Sequence, residues 1–243
     1  MNTERALLLI GDIGGYTRFM RLHRLSLGHA QENTARLLEA MIDAAPRLEL
    51  VGIEGDAAFL YVPEPEDEEV AASIAAVAAS IHRAFHTEQQ RIAQLTLCPC
   101  DACHQVGQLT VKVVAHLGEV VEQTVRDRTT LAGPDVILVH RMLKNSVPIN
   151  EYVLMTEPVL ERCEPELREA ATAVEEDLEG LGVERMYYVD MTAIAAEPAP
   201  PPKKTIGRRL SLTGGQVVRG VPYLIGLKRP DLARADAEPE TPG

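Results

Sequence analysis

The stretch LLLIGDIGGYTRFM (residues 7–20) places an acidic residue, Asp12, directly after an apolar run and before two glycines. The apolar run predicts a buried β-strand over residues 5–13, and helical periodicity follows over residues 17–45 with one interruption. A carboxylate at the end of a buried strand is often only a turn former or a helix cap. A second carboxylate at the same edge of the sheet would instead indicate a cation site.

A β-hairpin supplies the candidate for that second carboxylate. The segments RLELVGI (residues 47–53) and AAFLYV (residues 57–62) flank the turn sequence Glu54-Gly55-Asp56. If this hairpin lies beside the first strand, Asp12 and Asp56 fall at the same sheet edge. Two close carboxylates repel unless they are protonated or bridged by a cation, and their hard oxygen atoms favour Mg²⁺ or Mn²⁺.

The glycines after Asp12 favour a phosphate near the same edge. Glycine lets backbone amides approach a ligand closely, and a helix N-terminus attracts anions. We therefore expect a two-metal phosphoryl-transfer site. Its expected metal ligands are the side chains of Asp12 and Asp56 with the backbone of Ile13, and its expected phosphate-binding residues are Gly14, Gly15, Tyr16 and Thr17.

The rest of the body predicts an α+β fold with helices to one side of a sheet. A long helix after Pro65 has an acidic, solvated start and an apolar core stripe formed by Val70, Ile74, Val77, Ile81 and Phe85. Further strands are expected at residues 109–117, 119–125, 152–156 and 183–191, with helices at residues 133–144 and within 157–177. His82 and His86 flank the stripe, so we expect them to face solvent, whereas His116 is expected in the core.

Charge divides the 243-residue chain into an acidic body and a basic tail. Residues 1–202 hold 16 Lys and Arg against 32 Asp and Glu, whereas residues 203–229 hold seven basic and no acidic residues. We expect a folded domain over 1–192, a proline-rich linker over 193–202 and a partly disordered tail over 203–243. The acidic body should repel nucleic acid, and the tail could contact the body, an anionic membrane or a protein partner. No apolar run is long enough to cross a bilayer, and we expect a cytoplasmic protein.

The segment CPCDACH (residues 98–104) brings three thiols close together in sequence. Cys98, Cys100 and Cys103 have the spacing of zinc ligands, and the alternatives are reduced loop cysteines or a redox Cys-x-x-Cys pair. His104 adjoins Cys103, which strains joint coordination. The fourth ligand of a structural Zn²⁺ could therefore be His82, His86 or Cys163.

Four segments together resemble the catalytic domain of class III nucleotidyl cyclases, the adenylyl and guanylyl cyclases. They are DIGGYT, EGDAAFLYV, VKVVAHLGEVV and GPDVILVHRML, and they occur in the family's order within residues 5–192. The chain is most similar to a bacterial cyclase-like subfamily that also carries the cysteine segment. The resemblance implies a cyclase-homology domain with a ferredoxin-like core sheet, which forms its active sites in a homodimer.

The resemblance also implies roles for individual residues. Asp12 and Asp56 match the two metal-binding aspartates, and Arg141 matches the arginine that stabilises the transferring phosphoryl group of a nucleoside triphosphate. Thr130 occupies one of the positions that contact the base. Three positions depart from the family pattern, because a lysine is replaced by Gly52, an asparagine by Ile137 and a second lysine by Glu179.

These departures bear on catalysis. Loss of one preorganised transition-state donor costs about 10²–10³ in rate, so efficient cyclisation of ATP is not expected. We expect a protein that binds divalent metal and a nucleoside triphosphate at a homodimer interface, with degraded or redirected cyclase activity. The alternative is a non-catalytic, zinc-stapled dimeric interaction module that presents its basic tail, with the aspartates and Arg141 kept as structural ion pairs.

Overall fold

A computed structural model describes residues 3–22, 27–95, 103 and 105–195. A mixed sheet lies at the centre of this part of the chain. Its strands are β1 (Thr3–Gly14), β2 (Glu49–Glu54), β3 (Ala57–Pro63), β4 (Thr110–Val125), β5 (Arg128–Ala132), β6 (Tyr152–Thr156), β7 (Thr172–Leu178) and β8 (Gly182–Asp190). Their order is β2-β3-β1-β4-β6-β8-β7, and β5 pairs with the end of β4. Only β4 and β6 are parallel neighbours among these pairs.

The described residues also form helices on both faces of the sheet. In chain order these are α1 (Tyr16–Leu22), α2 (Leu27–Asp43), α3 (Asp67–Ala72), α4 (Ile74–Leu95), α5 (Pro134–Arg141), α6 (Glu157–Leu160), α7 (Pro165–Ala170) and α8 (Met191–Ile194). This arrangement confirms the α+β class. It differs from the expectation of helices on one side, because α5 packs on the opposite face from α2 and α4. None of the described helices is both long and apolar enough to cross a membrane.

Side-chain alternation along β1 produces two separate hydrophobic cores. Leu7 and Leu9 belong to the core beneath α2, α3 and α4, which we call the helix-layer face. Leu8 and Ile10 belong to the core beneath α5, which we call the α5 face. Asp12 continues this second series, so the strand presents it on the α5 face.

The predicted long helix after Pro65 is divided at Ser73 into α3 and α4. The Ser73 hydroxyl donates to the carbonyl oxygens of Glu69 and Val70, a backbone interaction that commonly bends helices. The apolar stripe is confirmed, since four of its members are at most 1% exposed and Val77 packs partly buried against them. The acidic start is less solvated than expected, because Asp67 is buried 3.5 Å from Nε of Arg5.

The prediction that His82 and His86 face solvent is wrong. His82 is only 7% exposed, and both rings contact the carboxylate of Glu151, which precedes β6. Burial lowers the pKa of His86, but the hydrogen bond and charge of Glu151 outweigh it and raise that pKa overall. Burial likewise opposes ionisation of Glu151, yet the two histidines bring its pKa down to about 2. By contrast, His116 is buried as predicted.

The cysteine prediction stays largely untested. Cys98, Cys100 and His104 lie outside the described residues, as do the proline-rich linker beyond residue 195 and the basic tail. Cys103 is buried, with Nδ2 of Asn33 3.8 Å from its sulfur. Cys163 is buried in the helix-layer core, where its thiol donates to the carbonyl of Val159 and burial raises its pKa to about 11.

Gly118→Ala tests the packing of α5 against β4. An added Cβ would lie 2.4 Å from the carboxyl carbon of Asp135, whose Oδ2 accepts a hydrogen bond from the amide of Glu119. We expect a loss of about 1–3 kcal/mol in the free energy of unfolding, measured by urea denaturation. Gly107→Ala is the matched control, because no atom lies within 4 Å of its added Cβ. Equal stability of the two variants would contradict this account.

Candidate functional site

The register of β1 brings Asp12 and Asp56 to the same edge of the sheet. Asp12 lies opposite Ala57 on β3, and Asp56 is the residue just before it in the β2–β3 turn. The amide of Ile13 donates to the carbonyl of Asp56 at 3.1 Å, which fixes the turn against the end of β1. Gly55 adopts the left-handed conformation that this turn requires. The expected convergence of the two aspartates is therefore present in the backbone.

The electrostatics of Asp56 reflect this proximity. Burial raises the pKa of its carboxyl group to about 6, and the negative charge of Asp12 contributes in the same direction. Lys112 opposes this shift. A carboxyl group with such a raised pKa is costly to ionise unless a cation lies nearby. The sheet edge that carries Asp12 and Asp56 therefore favours the binding of a cation.

Lys112 is a member of this cluster that the sequence reasoning missed. It lies opposite Asp12 on β4, with its Nζ 3.2 Å from Asp12 Oδ2, and it donates to the carbonyl of Leu143 at 3.0 Å. The signal was the alternation of β4, which places Lys112 on the same face as Val114 and opposite to Val113. Using that signal required the β1–β4 register, which the sequence did not fix.

The two glycines have structural reasons for their identity. Gly14 is still part of β1, and an added Cβ would lie 2.2 Å from the Thr110 hydroxyl oxygen. Gly15 has a φ of +83° and its carbonyl accepts the amide of Phe19 in the first turn of α1. Tyr16 and Thr17 begin this helix, and the pKa of Tyr16 is raised first by burial and then by the charge of Asp56. The four residues expected to bind phosphate thus adjoin the aspartates.

Arg141 pairs with Glu179 and not, as the alternative interpretation of a structural ion pair would require, with the aspartates. It is the last residue of α5, and its guanidinium forms an ion pair with Glu179 in the turn between β7 and β8. Within the described residues it forms no ion pair with Asp12 or Asp56. One copy of the chain therefore does not bring this arginine to the aspartates.

A cleft of about 880 Å³ lies between β2 and the β4–β5 hairpin. Gly52 and Thr130, the two positions that the resemblance relates to base recognition, both line it. The cleft offers no lysine where the family has one, and no atom lies within 4 Å of a Cβ added to Gly52. Its other lining residues are Val51, Ile53, Glu54, Val125, Arg126, Asp127 and Thr129.

The chain has a clear relative among known proteins. It is 38% identical over 198 residues to "Uncharacterized protein Rv2561/Rv2562" of Mycobacterium tuberculosis, a match that covers 80% of this chain and 90% of the relative. The chain belongs to the family of this mycobacterial protein. Residues 34–152 also match the family model described as "Protein of unknown function (DUF2652)".

This chain shares its fold with solved class III cyclases. The adenylyl cyclase CyaB from P. aeruginosa superposes with a TM-score of 0.57 and 16% identity, over 78% of this chain and 95% of that chain. The guanylyl cyclase Cya2 gives 0.61 and 15%, over 84% and 98%. A class III adenylyl cyclase-like ATP-binding protein from Pseudomonas aeruginosa gives 0.56 and 13%, over 69% and 36%. These likenesses confirm the cyclase-homology fold, and at such low identity they concern the fold alone.

Asp56→Asn tests the electrostatic cost of the aspartate pair. The folded-state pKa of Asp56, about 6, lies above its unfolded value of 3.8, so its ionisation destabilises the fold as pH rises through that window. Asparagine keeps the shape without the charge. In chelator-treated protein we expect it to raise the free energy of unfolding at pH 7.5 by about 1 kcal/mol, allowing for solvent screening of this partly exposed group.

The gain should shrink as the pH falls from 6 towards 4, where wild-type Asp56 is itself protonated. Urea denaturation at a series of pH values measures it. Asp43→Asn is the matched control, because Asp43 is an exposed carboxylate at the end of α2. A stability change in Asp56→Asn that is the same at pH 4 and pH 7.5 would refute the electrostatic explanation.

Proposed function

We propose that this protein is a class III cyclase-like protein that binds Mg²⁺ or Mn²⁺ together with a nucleoside triphosphate at a homodimer interface. Its cyclase activity is degraded or redirected towards another reaction of the nucleotide. The observation that carries the proposal is the convergence of Asp12 and Asp56 on one sheet edge, where burial and mutual repulsion raise the pKa of Asp56. The cyclase-homology fold supports it.

The donor set fits a hard divalent cation. Asp12 and Asp56 offer carboxylate oxygens, and the adjoining backbone of Ile13 is the expected third donor. The two carboxylates and Lys112 carry a net charge of −1, so one divalent ion already overcompensates the cluster. A second ion would need the charge of a bound triphosphate. We infer that nucleotide and metal bind together.

The chain's own groups then have separate tasks. Asp12 and Asp56 hold the cation, which supplies charge neutralisation for the phosphates and activation of an attacking oxygen. The cleft lined by Gly52 and Thr130 takes the base. Lys112 keeps the Asp12 carboxylate oriented through its contacts with Asp12 Oδ2 and the carbonyl of Leu143.

Arg141 of a second copy supplies the remaining positive charge. Its partner within one chain, Glu179, is 83% exposed, whereas Arg141 is 33% exposed. Ion pairs with such solvent access contribute about 0–1 kcal/mol, so a triphosphate can displace Glu179 from the guanidinium. Glu179 nevertheless adds a negative charge close to the arginine, which disfavours an anionic transition state.

The expected loss of cyclase activity follows from two positions. Gly52 provides no side chain to select a purine. Ile137 is a 53% exposed apolar side chain on α5, at a position where class III cyclases have an asparagine. Each missing donor costs about 10²–10³ in rate. Thr130 remains in the cleft as a hydroxyl donor, which is compatible with binding of a nucleotide without efficient cyclisation.

Exposed apolar side chains support a homodimer. Ile53 is 52% exposed, Val125 is 61% exposed, and both line the cleft, while the exposed Ile137 lies on α5. Exposed apolar side chains that share one cleft, as Ile53 and Val125 do, are common at protein interfaces. A second copy would cover them and would bring its Arg141 towards the aspartates. Structural zinc at the cysteine segment, contacts of the tail and a cytoplasmic location remain predictions.

Asp12→Asn tests the shared metal and nucleotide site. Wild-type protein with Mn²⁺ should bind at least one of the four common nucleoside triphosphates, measured by isothermal titration calorimetry and by thermal shift. Removal of one carboxylate should weaken this binding by about 100-fold, because the cation loses a charged ligand. Asp43→Asn should bind like wild type.

Product analysis of the same mixtures separates the possible activities. A slow cyclic product indicates a degraded cyclase, and a different phosphate product indicates a redirected enzyme. Absence of both binding and product for all four nucleotides would refute the proposed function and would favour the interaction module.

Ile137→Glu tests the homodimer. A buried charge at a dimer interface is costly, so the variant should shift towards a monomer in light scattering coupled to size-exclusion chromatography. Ala76→Glu adds the same charge at an exposed position of α4 on the helix-layer face and should leave the mass unchanged. A monomeric wild type, or a dimer that survives the Ile137 substitution, would contradict the proposed interface.

A further inference from the structure

We propose that His82, His86 and Glu151 form a second metal site, which binds a divalent transition-metal ion of the Zn²⁺ type. The site lies on the helix-layer face and uses none of the residues of the aspartate cluster. Cys103, the cysteine of the CPCDACH segment that the structure describes, is not one of its donors. The inference does not rest on the proposed nucleotide function.

The geometry of α4 places the two histidines side by side. They are four residues apart, so they lie on the same helix face, and their ring centroids are 4.4 Å apart. One carboxylate meets both rings, since Oε1 of Glu151 lies 2.7 Å from Nε2 of His86 and Oε2 lies 3.3 Å from Nε2 of His82. The three residues thus converge on one point.

The spacing of the donors suits a metal of small radius. One ligand atom from each of the three residues can be chosen so that all lie within 4.8 Å of one another. Bonds of 2.0–2.1 Å at tetrahedral angles place zinc ligands roughly 3.3 Å apart. Only a small side-chain adjustment is needed to reach that separation. Two histidines with one glutamate are a known zinc donor set, with the fourth position taken by water.

A hydrogen-bond relay fixes the protonation of His86. The side-chain nitrogen of Gln89 donates to the carbonyl oxygens of Val106 and Leu109 at 3.0 and 2.7 Å. The amide oxygen of Gln89 must therefore accept, and it lies 2.9 Å from Nδ1 of His86. Because Nδ1 carries the proton, the neutral ring directs the Nε2 lone pair towards Glu151.

This arrangement is the one that metal-binding histidines adopt, in which the second ring nitrogen donates to an outer partner. It is also unfavourable without a cation. A neutral His86 would set its Nε2 lone pair against a carboxylate oxygen at 2.7 Å, so the contact requires either a proton or a metal ion between the two atoms. His82 is oriented by Glu151 and by the neighbouring ring of His86.

Glu151 is fixed from both of its ends. Its carbonyl oxygen accepts the amide of Met191 at the start of α8, and its Oε1 also accepts the amide of Val111 on β4 at 3.3 Å. The three side chains are 8%, 18% and 15% exposed for His82, His86 and Glu151. A rigid and mostly buried donor set of this kind loses little freedom when it binds an ion. The remaining exposure leaves access for the ion and for one water ligand.

Zinc binding to chelator-stripped, full-length protein tests the proposal. Titration calorimetry with Zn²⁺ should find a site that His86→Gln and Glu151→Gln each weaken by about 100-fold or more, because each removes one ligand. His140→Gln is the matched control, since His140 lies on α5 at the other face of the sheet and contacts Glu54. Circular dichroism checks that each variant is folded. If His86→Gln is not folded, the test relies on Glu151→Gln, because glutamine keeps the shape of the glutamate side chain.

Cobalt substitution identifies the ligands. With Co²⁺ in place of Zn²⁺, the site should give visible ligand-field bands that both variants lose, without the sulfur-to-metal charge-transfer bands of thiolate ligands. The double variant Cys98→Ser/Cys100→Ser and the variant Asp12→Asn should both retain these bands, even if Asp12→Asn has lost nucleotide binding. Failure of wild type to bind Zn²⁺ or Co²⁺ would overturn the proposal, and so would binding by His86→Gln and Glu151→Gln that is as tight as that of wild type.

Discussion

The pairing of β1 with β3 on one side and β4 on the other is the constraint on which the rest of the structure depends. It alternates the β1 side chains between two cores and sets Asp12 between Ala57 and Lys112. A shift of this register by one residue would turn Asp12 into the helix-layer core. The carboxylate cluster and both hydrophobic cores therefore depend on the same set of backbone hydrogen bonds.

That constraint concentrates charge that the fold alone does not need. Burial and Asp12 together raise the pKa of Asp56, and Lys112 compensates only part of the repulsion. Groups that cost stability in the isolated chain are commonly found at sites that bind something. The Gly14 and Gly15 positions are different, because sterics and backbone conformation explain them without any ligand.

The sequence allowed prediction of features that depend on local patterns. The α+β class, the apolar stripe along α3 and α4 and the meeting of Asp12 with Asp56 followed from periodicity and a hairpin turn. Lys112 and the Glu179 partner of Arg141 were missed, because each depends on long-range register or on a turn far along the chain. The pattern of α4 alone also could not show that His82 and His86 would face Glu151.

His82 and His86 show this limit most clearly. Their helical position placed them beside the apolar stripe, which favoured solvent, but Glu151 is contributed by the approach to a different strand. A polar residue at the margin of a buried helix face is exposed or buried according to whether such a partner arrives. The resemblance to cyclases gave no help there, because its four segments include neither α4 nor Glu151.

Strand β4 contacts both the aspartate cluster and the His82–His86–Glu151 cluster, which lie on opposite faces of the sheet. The amide of Val111 donates to Glu151 on the helix-layer face, and the next residue, Lys112, contacts Asp12 on the α5 face. The two donor sets differ in chemistry. Oxygen atoms alone select Mg²⁺ or Mn²⁺, whereas two imidazole nitrogens favour Zn²⁺ and its neighbours in the transition series. Because the two proposed sites prefer different ions, one chain has separate places for both kinds of metal.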